Sequence, residues 1–303
     1  MSDSTNIEAS RPSRWQVFCE ALKLTGTGFF RHTVGQTAAA LAYFLLFSIF
    51  PLLIFISNLL GLLELDVSAI MLYLVEVFPK DVCEIIESYF QHVSSSSSSF
   101  LMLFALVFSI WFPFRAVRGL MLDIRRAYRQ TRAERQVREL VKQLICTVVF
   151  IFVLGFTLVL TVVGERIIVG FIDLLPENTL NISGYILTLW QYLRFLPMAL
   201  LMIFAIGMLY AAALDRMLPI RSILPGIAFA FFGWLLVSVG FSFYVERFSH
   251  YTTIYGTLGT VIVLLIWLYL TAIVLIMGAE FNAALFTVRK KYSIDAPTGI
   301  EDK

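Results

Sequence analysis

From Leu258 to Ala279 the sequence carries no charged side chain, and the run then closes on Glu280. About 20 predominantly apolar residues suffice for a helix to cross the hydrocarbon core of a bilayer, so the stretch 255–281 reads as a membrane span. A carboxylate at its end is costly in hydrocarbon unless it is paired, hydrated or turned toward a cavity. Written as a helix, Gly256, Thr260, Trp267, Thr271, Gly278 and Asn282 recur at fours and sevens, a stripe of small and weakly polar residues that lets helices approach closely in lipid. Gly259 adds to this packing set. Tyr255 and Tyr269 project on nearly the same side as Glu280, being separated from it by almost whole turns. Two readings of Glu280 follow. It anchors the helix end beside Arg289, Lys290 and Lys291, or it faces inward, paired to another helix or poised for a proton or cation.

The remainder of the chain repeats the pattern. Of 303 residues, 59% are hydrophobic and only 15% charged, where a soluble domain would carry about a quarter charged. The expected fold class is therefore all-α: a polytopic membrane protein of six transmembrane helices at about 37–63, 100–122, 144–164, 193–214, 226–245 and 255–281. A cytoplasmic segment at 1–30 precedes the membrane domain (31–288), and a cytoplasmic tail follows at 289–303. The N-terminal segment lacks the apolar core and cleavage pattern of a signal peptide. In the first span Pro51 removes a backbone hydrogen bond and makes a hinge, which membrane helices tolerate when a neighbour or a hydroxyl such as Ser48 supplies a partner. Gln36, Tyr43 and Asn58 share one side of that helix, as interhelical glue or as a polar lining. Residues 64–99 are polar and acidic, with apolar residues at helical spacing on either side of Pro79. They predict two short amphipathic outer helices. Three scattered cysteines and three dispersed histidines predict neither a disulfide framework nor a metal site.

Charge sets the expected topology. The stretch from Arg115 to Lys142 holds nine basic residues against three acidic ones, among them Arg115, Arg118, Arg125, Arg126 and Arg129, and it reads as a basic cytoplasmic loop. Nineteen basic residues fall on the inner side of this layout, against four (Lys80, Arg166, Arg194, Arg247) on the outer. Such a bias places both termini in the cytoplasm. The loop would attract anionic lipids or concentrate anionic solutes near an inner mouth.

With these elements placed, the chain resembles the YihY/BrkB family of bacterial inner-membrane proteins. The carriers are Ala38-Ala-Ala-Leu-Ala-Tyr-Phe-Leu-Leu-Phe-Ser-Ile-Phe-Pro51, Leu218-Pro with Leu224-Pro-Gly226, and Ile254-Tyr-Gly-Thr-Leu-Gly through Trp267 to Gly278-Ala-Glu280. The resemblance covers about residues 20–292. It implies one domain of six transmembrane helices, a link to serum resistance, an old ribonuclease label and a proposed role in exporting small solutes. The residues themselves give no support to a nuclease. The acids Asp123, Glu134, Glu139 and Asp215 stand isolated among arginines, and no histidine pair or acidic cluster occurs. Nor is there a glycine-rich phosphate loop, so solute movement would depend on an ion gradient or a partner. The expected function is a secondary transporter or exporter of a small polar or anionic solute, without cofactor, enzyme activity or nucleic-acid partner. The alternative is an envelope scaffold that binds lipid or protein. A homo-oligomer is compatible with either.

Overall fold

The computed structural model describes residues 12–62, 99–129, 136–173, 195–214, 219–247 and 257–292. Seven helices account for nearly all of them: α1 (Arg14–Arg31), α2 (Val34–Leu62), α3 (Ser99–Ala127), α4 (Gln136–Asp173), α5 (Phe195–Ala213), α6 (Ile220–Arg247) and α7 (Thr257–Lys291). The expected amphipathic helices between 64 and 99 lie outside the described residues. Six helices, α2 to α7, are long and apolar enough to cross a membrane. At 1.5 Å per residue even the 19-residue α5 reaches about 28 Å, close to the thickness of the hydrocarbon core. Pro51, Pro113 and Pro225 all sit inside these helices. Ser48, one turn before Pro51, donates to the Leu45 carbonyl at 2.6 Å.

Neighbours in the chain are neighbours in space. Each of α2 to α6 packs on the next, and α7 returns to α2, closing a ring into which α3 leans to meet α5 and α7 as well. Large apolar side chains such as Phe152, Leu200, Phe232 and Leu236 are exposed around its outside. Water would penalise that surface, whereas acyl chains cover it without cost.

The packed core is concentrated at one end of the ring. It draws on the beginning of α2 (Val34, Ala38, Leu41), the end of α3 (Ala116, Leu120, Met121, Ile124), the end of α5 (Ile206, Leu209, Tyr210, Ala213), the start of α6 (Ile223, Ile227, Ala230) and the second half of α7 (Ile276, Ala279, Ala283). The same end carries Arg115 to Arg129 and Arg289 to Lys291, and we refer to it as the basic end.

Two features fix this end. The first is the approach of α6 to α7. A Cβ on Gly226 would come within 2.5 Å of the Gly278 carbonyl oxygen and 2.6 Å of Asn282 Cβ, and one on Gly278 within 2.7 Å of Ala230 Cβ and of the Gly226 oxygen. In lipid, where helices gain little from hiding apolar surface from each other, such backbone contact supplies the dispersion and dipolar attraction between them. The second is α1, whose small stripe Val17, Ala21, Thr25 and Gly28 is buried. Phe18 meets the ring of Phe281 with centroids 5.7 Å apart, while Gly28 abuts Glu280. Gly28 at the end of α1 meets Glu280 while Glu20, two turns earlier, meets Lys291, so α1 runs antiparallel along the last turns of α7.

Substituting Gly226→Ala or Gly278→Ala should therefore destabilise the fold by about 1–3 kcal/mol, the range for overpacking a tight contact. Gly240→Ala, where an added Cβ meets nothing within 4 Å, should be neutral or slightly stabilising. Thermal unfolding of the three purified variants in detergent checks the contrast.

Candidate functional site

At the basic end three helices bring titratable groups together. The chain leaves α1 through His32 and Thr33 and re-enters helix at Val34, a two-residue elbow. Thr33 holds φ 51°, a left-handed conformation that a β-branched residue rarely adopts. Its hydroxyl donates to the His32 carbonyl at 2.7 Å, and its own carbonyl accepts from the Gln36 amide at 3.0 Å. This turn aims His32 at α7, where its Nδ1 lies 2.6 Å from Glu280 Oε1. Glu280 is nearly enclosed, with 6% of its side chain exposed, while His32 keeps 26%. No other residue type would leave Glu280 its place: a Cβ on Gly28 would stand 2.8 Å from Oε2.

Asp123 of α3 is the third member. It is buried, lies close enough to His32 and Glu280 to interact with both electrostatically, and has Thr37 of α2 beside it. Arg126 Nη1 donates to its Oδ1 at 2.8 Å, whereas its Oδ2 is buried with no hydrogen-bond partner. A cavity of about 70 Å³, bordered by Gly28, Arg31, His32, Arg129 and Glu280, opens beside the pair. That is space for a few waters at most. Arg129 has φ 52°, so both non-glycine residues with a left-handed backbone among those described border this small region. Chemically the arrangement is a carboxylate–imidazole pair able to hold one proton more or one fewer, with a second acid next to it.

Two further polar groups tie the same end together. Arg125 of α3 is buried, pairs with Glu139 of α4, and donates from Nε to the Ala213 carbonyl at 2.6 Å. Lys142 Nζ donates to the next carbonyl, Leu214, at 3.1 Å. These cations satisfy the open carbonyls at the end of α5 and oppose its negative dipole end. On the other side, Asn282 Oδ1 accepts from the Gly226 amide at 3.2 Å, and its Nδ2 donates to the Tyr128 hydroxyl at 2.7 Å. Gly226 follows Pro225 in the second turn of α6, and without a Cβ its amide is open to a side chain from α7. Tyr210 donates to the Leu275 carbonyl within α7. Tyr128 stands just past the end of α3, and burial pushes its hydroxyl up to about 12, so it remains a neutral donor and acceptor.

The structure distributes the residues singled out in the sequence unevenly. Glu280 is paired to the α1–α2 elbow rather than to the basic tail, and Lys291 instead bonds Glu20 of α1 at 2.6 Å. Gly259 and Gly278 are buried, and Pro51 is buried within α2. The Tyr269 hydroxyl reaches toward Gly35, at 3.3 Å from where a Cβ would stand. Gln36 and Tyr43 are exposed, Tyr43 lying against Phe47 on the outside of α2 at 4.4 Å between ring centroids, so neither lines the site at Glu280. Tyr255, Gly256 and the Asn58 side chain fall outside what is described. The basic loop needs a larger correction. Arg115 and Arg118 fall inside the expected span at 100–122, but Arg125 and Arg126 also belong to α3, which continues helical to Ala127; of the five, Arg129 lies beyond it. Arg125 is enclosed by α4 and α5, and Arg115 stacks over the Phe44 ring at 5.3 Å. Asp123 and Glu139, which look isolated among arginines in the sequence, each hold one of them. His32 was missed because a lone histidine carries no spacing signal. Its position between the helical stripe of α1 and the start of α2 is the clue that marks an elbow.

Fold and site define a polytopic, all-helical membrane protein with a buried carboxylate–histidine pair at one end of a six-helix ring. The chain belongs to the family described as Virulence factor BrkB, whose model matches residues 26–298. It is 30% identical over 272 residues to a protein of Bacillus subtilis (strain 168) that carries the ribonuclease-like name YfkH, covering 89% of this chain and 97% of that one. It is also 30% identical over 135 residues to the UPF0761 membrane protein of Pseudoalteromonas translucida, covering 45% of this chain and 39% of that one. A UPF0761 membrane protein of Vibrio campbellii is 36% identical over 94 residues, 31% of this chain and 30% of its own. No solved structure matches the chain.

The geometry at Arg125 makes a quantitative expectation. Arg125→Ala removes one partner of an enclosed ion pair and uncaps α5, which should cost about 3 kcal/mol or more. Lys291→Ala breaks an exposed pair that solvent screens and should leave the melting midpoint nearly unchanged. Comparing the melting of both variants in detergent distinguishes the enclosed contact from the surface one.

Proposed function

We propose that this protein is a secondary transporter or exporter of a small polar or anionic solute in the bacterial inner membrane. Its basic end faces the cytoplasm in this reading, and His32 and Glu280 carry the coupling proton. The observation behind this reading is the enclosed contact at 2.6 Å between Glu280 and His32. A bundle that needed only stability would gain little from an enclosed ionisable pair, since desolvation offsets most of its attraction. Intramembrane acids more often mark ion or substrate paths.

The proton balance is simple. With Glu280 ionised and His32 cationic, the two form an ion pair joining the elbow to α7. A proton arriving at Glu280 Oε1 gives a neutral carboxylic acid facing an imidazolium, and the attraction across the contact falls. Loss of that attraction weakens one of the contacts that hold the strained turn at Thr33 against α7. Asp123 of α3 lies beside both groups, so a second acid borders the same contact. The basic stretch at the same end draws anions toward it.

Nuclease chemistry forms no part of this reading. Glu280 and His32 are engaged with each other beside a cavity of about 70 Å³, which does not admit a polynucleotide backbone. The closed packing of the basic end is what favours the rival reading, a non-transporting envelope scaffold.

The deciding experiment compares small molecules inside and outside cells that lack the protein, overproduce it, or overproduce Glu280→Gln at matched membrane levels. Transport predicts a compound retained by the deletion strain and released by the overproducer, with Glu280→Gln returning it to the deletion level. His32→Gln should act in the same direction. If no compound shifts in any strain, transport is wrong and the scaffold reading stands.

A further inference from the structure

A second cavity lies on the outside of the ring, away from the His32–Glu280 pair. It is an open groove of about 940 Å³ between the N-terminal half of α1, the outer face of α6 and the end of α7. Pocket volumes for small ligands run from about 300 to 1,000 Å³, so this groove is at the large end. Its walls are Phe18, Phe229, Phe232 and Leu236 along most of their length, and among the described residues its charged lining is Arg14 and Arg289.

The charges and the apolar walls are segregated. Gly226 of α6 packs beside Gly278 and Asn282, and Gly233 beside Val274, so α6 and α7 run in opposite directions along the groove. Arg289 on α7 therefore lies near the start of α6, and the groove runs from there past Phe229 and Phe232 to Leu236. The α6 wall from Pro225 to Leu236 is about 16 Å long, close to half of a hydrocarbon core about 30 Å thick. Among the described residues neither Arg14 nor Arg289 is in an ion pair. Glu20, the acid six residues beyond Arg14, is engaged by Lys291 at 2.6 Å and by the Tyr292 hydroxyl at 3.0 Å. Trp15 is exposed next to Arg14 and stacks on Phe18 with centroids 5.7 Å apart, an aromatic at the position where headgroups meet acyl chains.

A ligand that matches these features has a negative charge at one end and about one leaflet of hydrocarbon behind it. We propose that the groove between α1, α6 and α7 is a binding site for an anionic diacyl phospholipid, its phosphate held by Arg14 and Arg289 and one acyl chain laid along Phe229, Phe232 and Leu236. Bound this way, the lipid fastens α1 to α6 from the outside, while Glu280 and His32 fasten it to α7 from within. The proposal does not depend on solute transport.

The test uses the full chain, purified in detergent and offered phosphatidylglycerol and phosphatidylcholine with identical acyl chains, with retained lipids counted by native mass spectrometry. Wild type should retain phosphatidylglycerol in preference. Arg14→Gln and Arg289→Gln should each lower that preference about fivefold, the scale on which one basic residue attracts an anionic surface. Arg14→Lys and Arg289→Lys, which keep the charge, should retain it. Ala228→Trp, filling the groove, should lose both lipids, and an unchanged melting midpoint in apo detergent establishes that each variant is folded. Equal retention of the two lipids by wild type, or a preference unaltered in the double Gln variant, overturns the proposal. So does glycerol phosphate binding as tightly as the whole lipid, which would mark a soluble-anion site, or Ala228→Trp dissociating a dimer without altering lipid retention, which would mark an interface between copies.

Discussion

The contact of Gly226 with Gly278 is the constraint from which the basic end is built. Helices in a bilayer are surrounded by acyl chains as apolar as their own side chains, so they associate through close packing and hydrogen bonds rather than by escaping solvent. With no Cβ on either residue, the two backbones come near enough for Asn282 to bond the Gly226 amide and the Tyr128 hydroxyl together. That single side chain joins α6, α7 and the end of α3. Tyr210 adds α5 by bonding the Leu275 carbonyl. Once α7 is fixed among these three, the position of Glu280, two residues from Asn282, is fixed too.

The polar groups at this end fall into two kinds with different consequences. Arg125, Glu139 and Lys142 are satisfied from several sides: an ion pair, the Ala213 carbonyl and the Leu214 carbonyl. Such a network resists change, since moving one member strands the others. The His32, Glu280 and Asp123 group is less complete. His32 is partly open, Asp123 Oδ2 is unbonded, and the turn that presents His32 is held in a left-handed conformation. A rigid frame beside an incompletely satisfied, titratable contact is the combination expected of an element that changes state, and it is the reason the proposed function is placed there and not at the arginines.

Much of this was legible beforehand, for definite reasons. The all-helical class follows from runs such as 258–279, because only closed hydrogen-bonding patterns survive in hydrocarbon. The small stripe through Gly278 and Asn282 announced close helix contact. Glu280 stood out because an acid at that position is expensive. The partners were not legible. His32 and Glu280 are 248 residues apart and Tyr128 and Asn282 are 154 apart, and no local periodicity encodes such a meeting. Gln36 and Tyr43 share a helical side with Asn58 in the sequence, yet a helical wheel does not say which side faces lipid when both are largely apolar. The charge density from Arg115 onward reads as a loop, although Arg115 and Arg118 already fall inside the expected span at 100–122. Helix α3 accommodates the arginines as far as Arg126 because Asp123, Glu139, the Phe44 ring and the carbonyl at the end of α5 supply partners.

By itself the sequence determined that this chain is a membrane protein of six long apolar helices, since hydropathy and helix length are properties of contiguous residues. It also determined which residues are costly to bury. Only the tertiary structure decided how those costs are met. Whether Glu280 anchors a helix end or pairs inward, whether Arg125 is free or enclosed, and whether Arg14 and Arg289 border one groove all depend on residues brought together by the ring of helices and by α1 crossing it. Local sequence fixes the energy of each element in lipid. The contacts between elements select one arrangement when they act together.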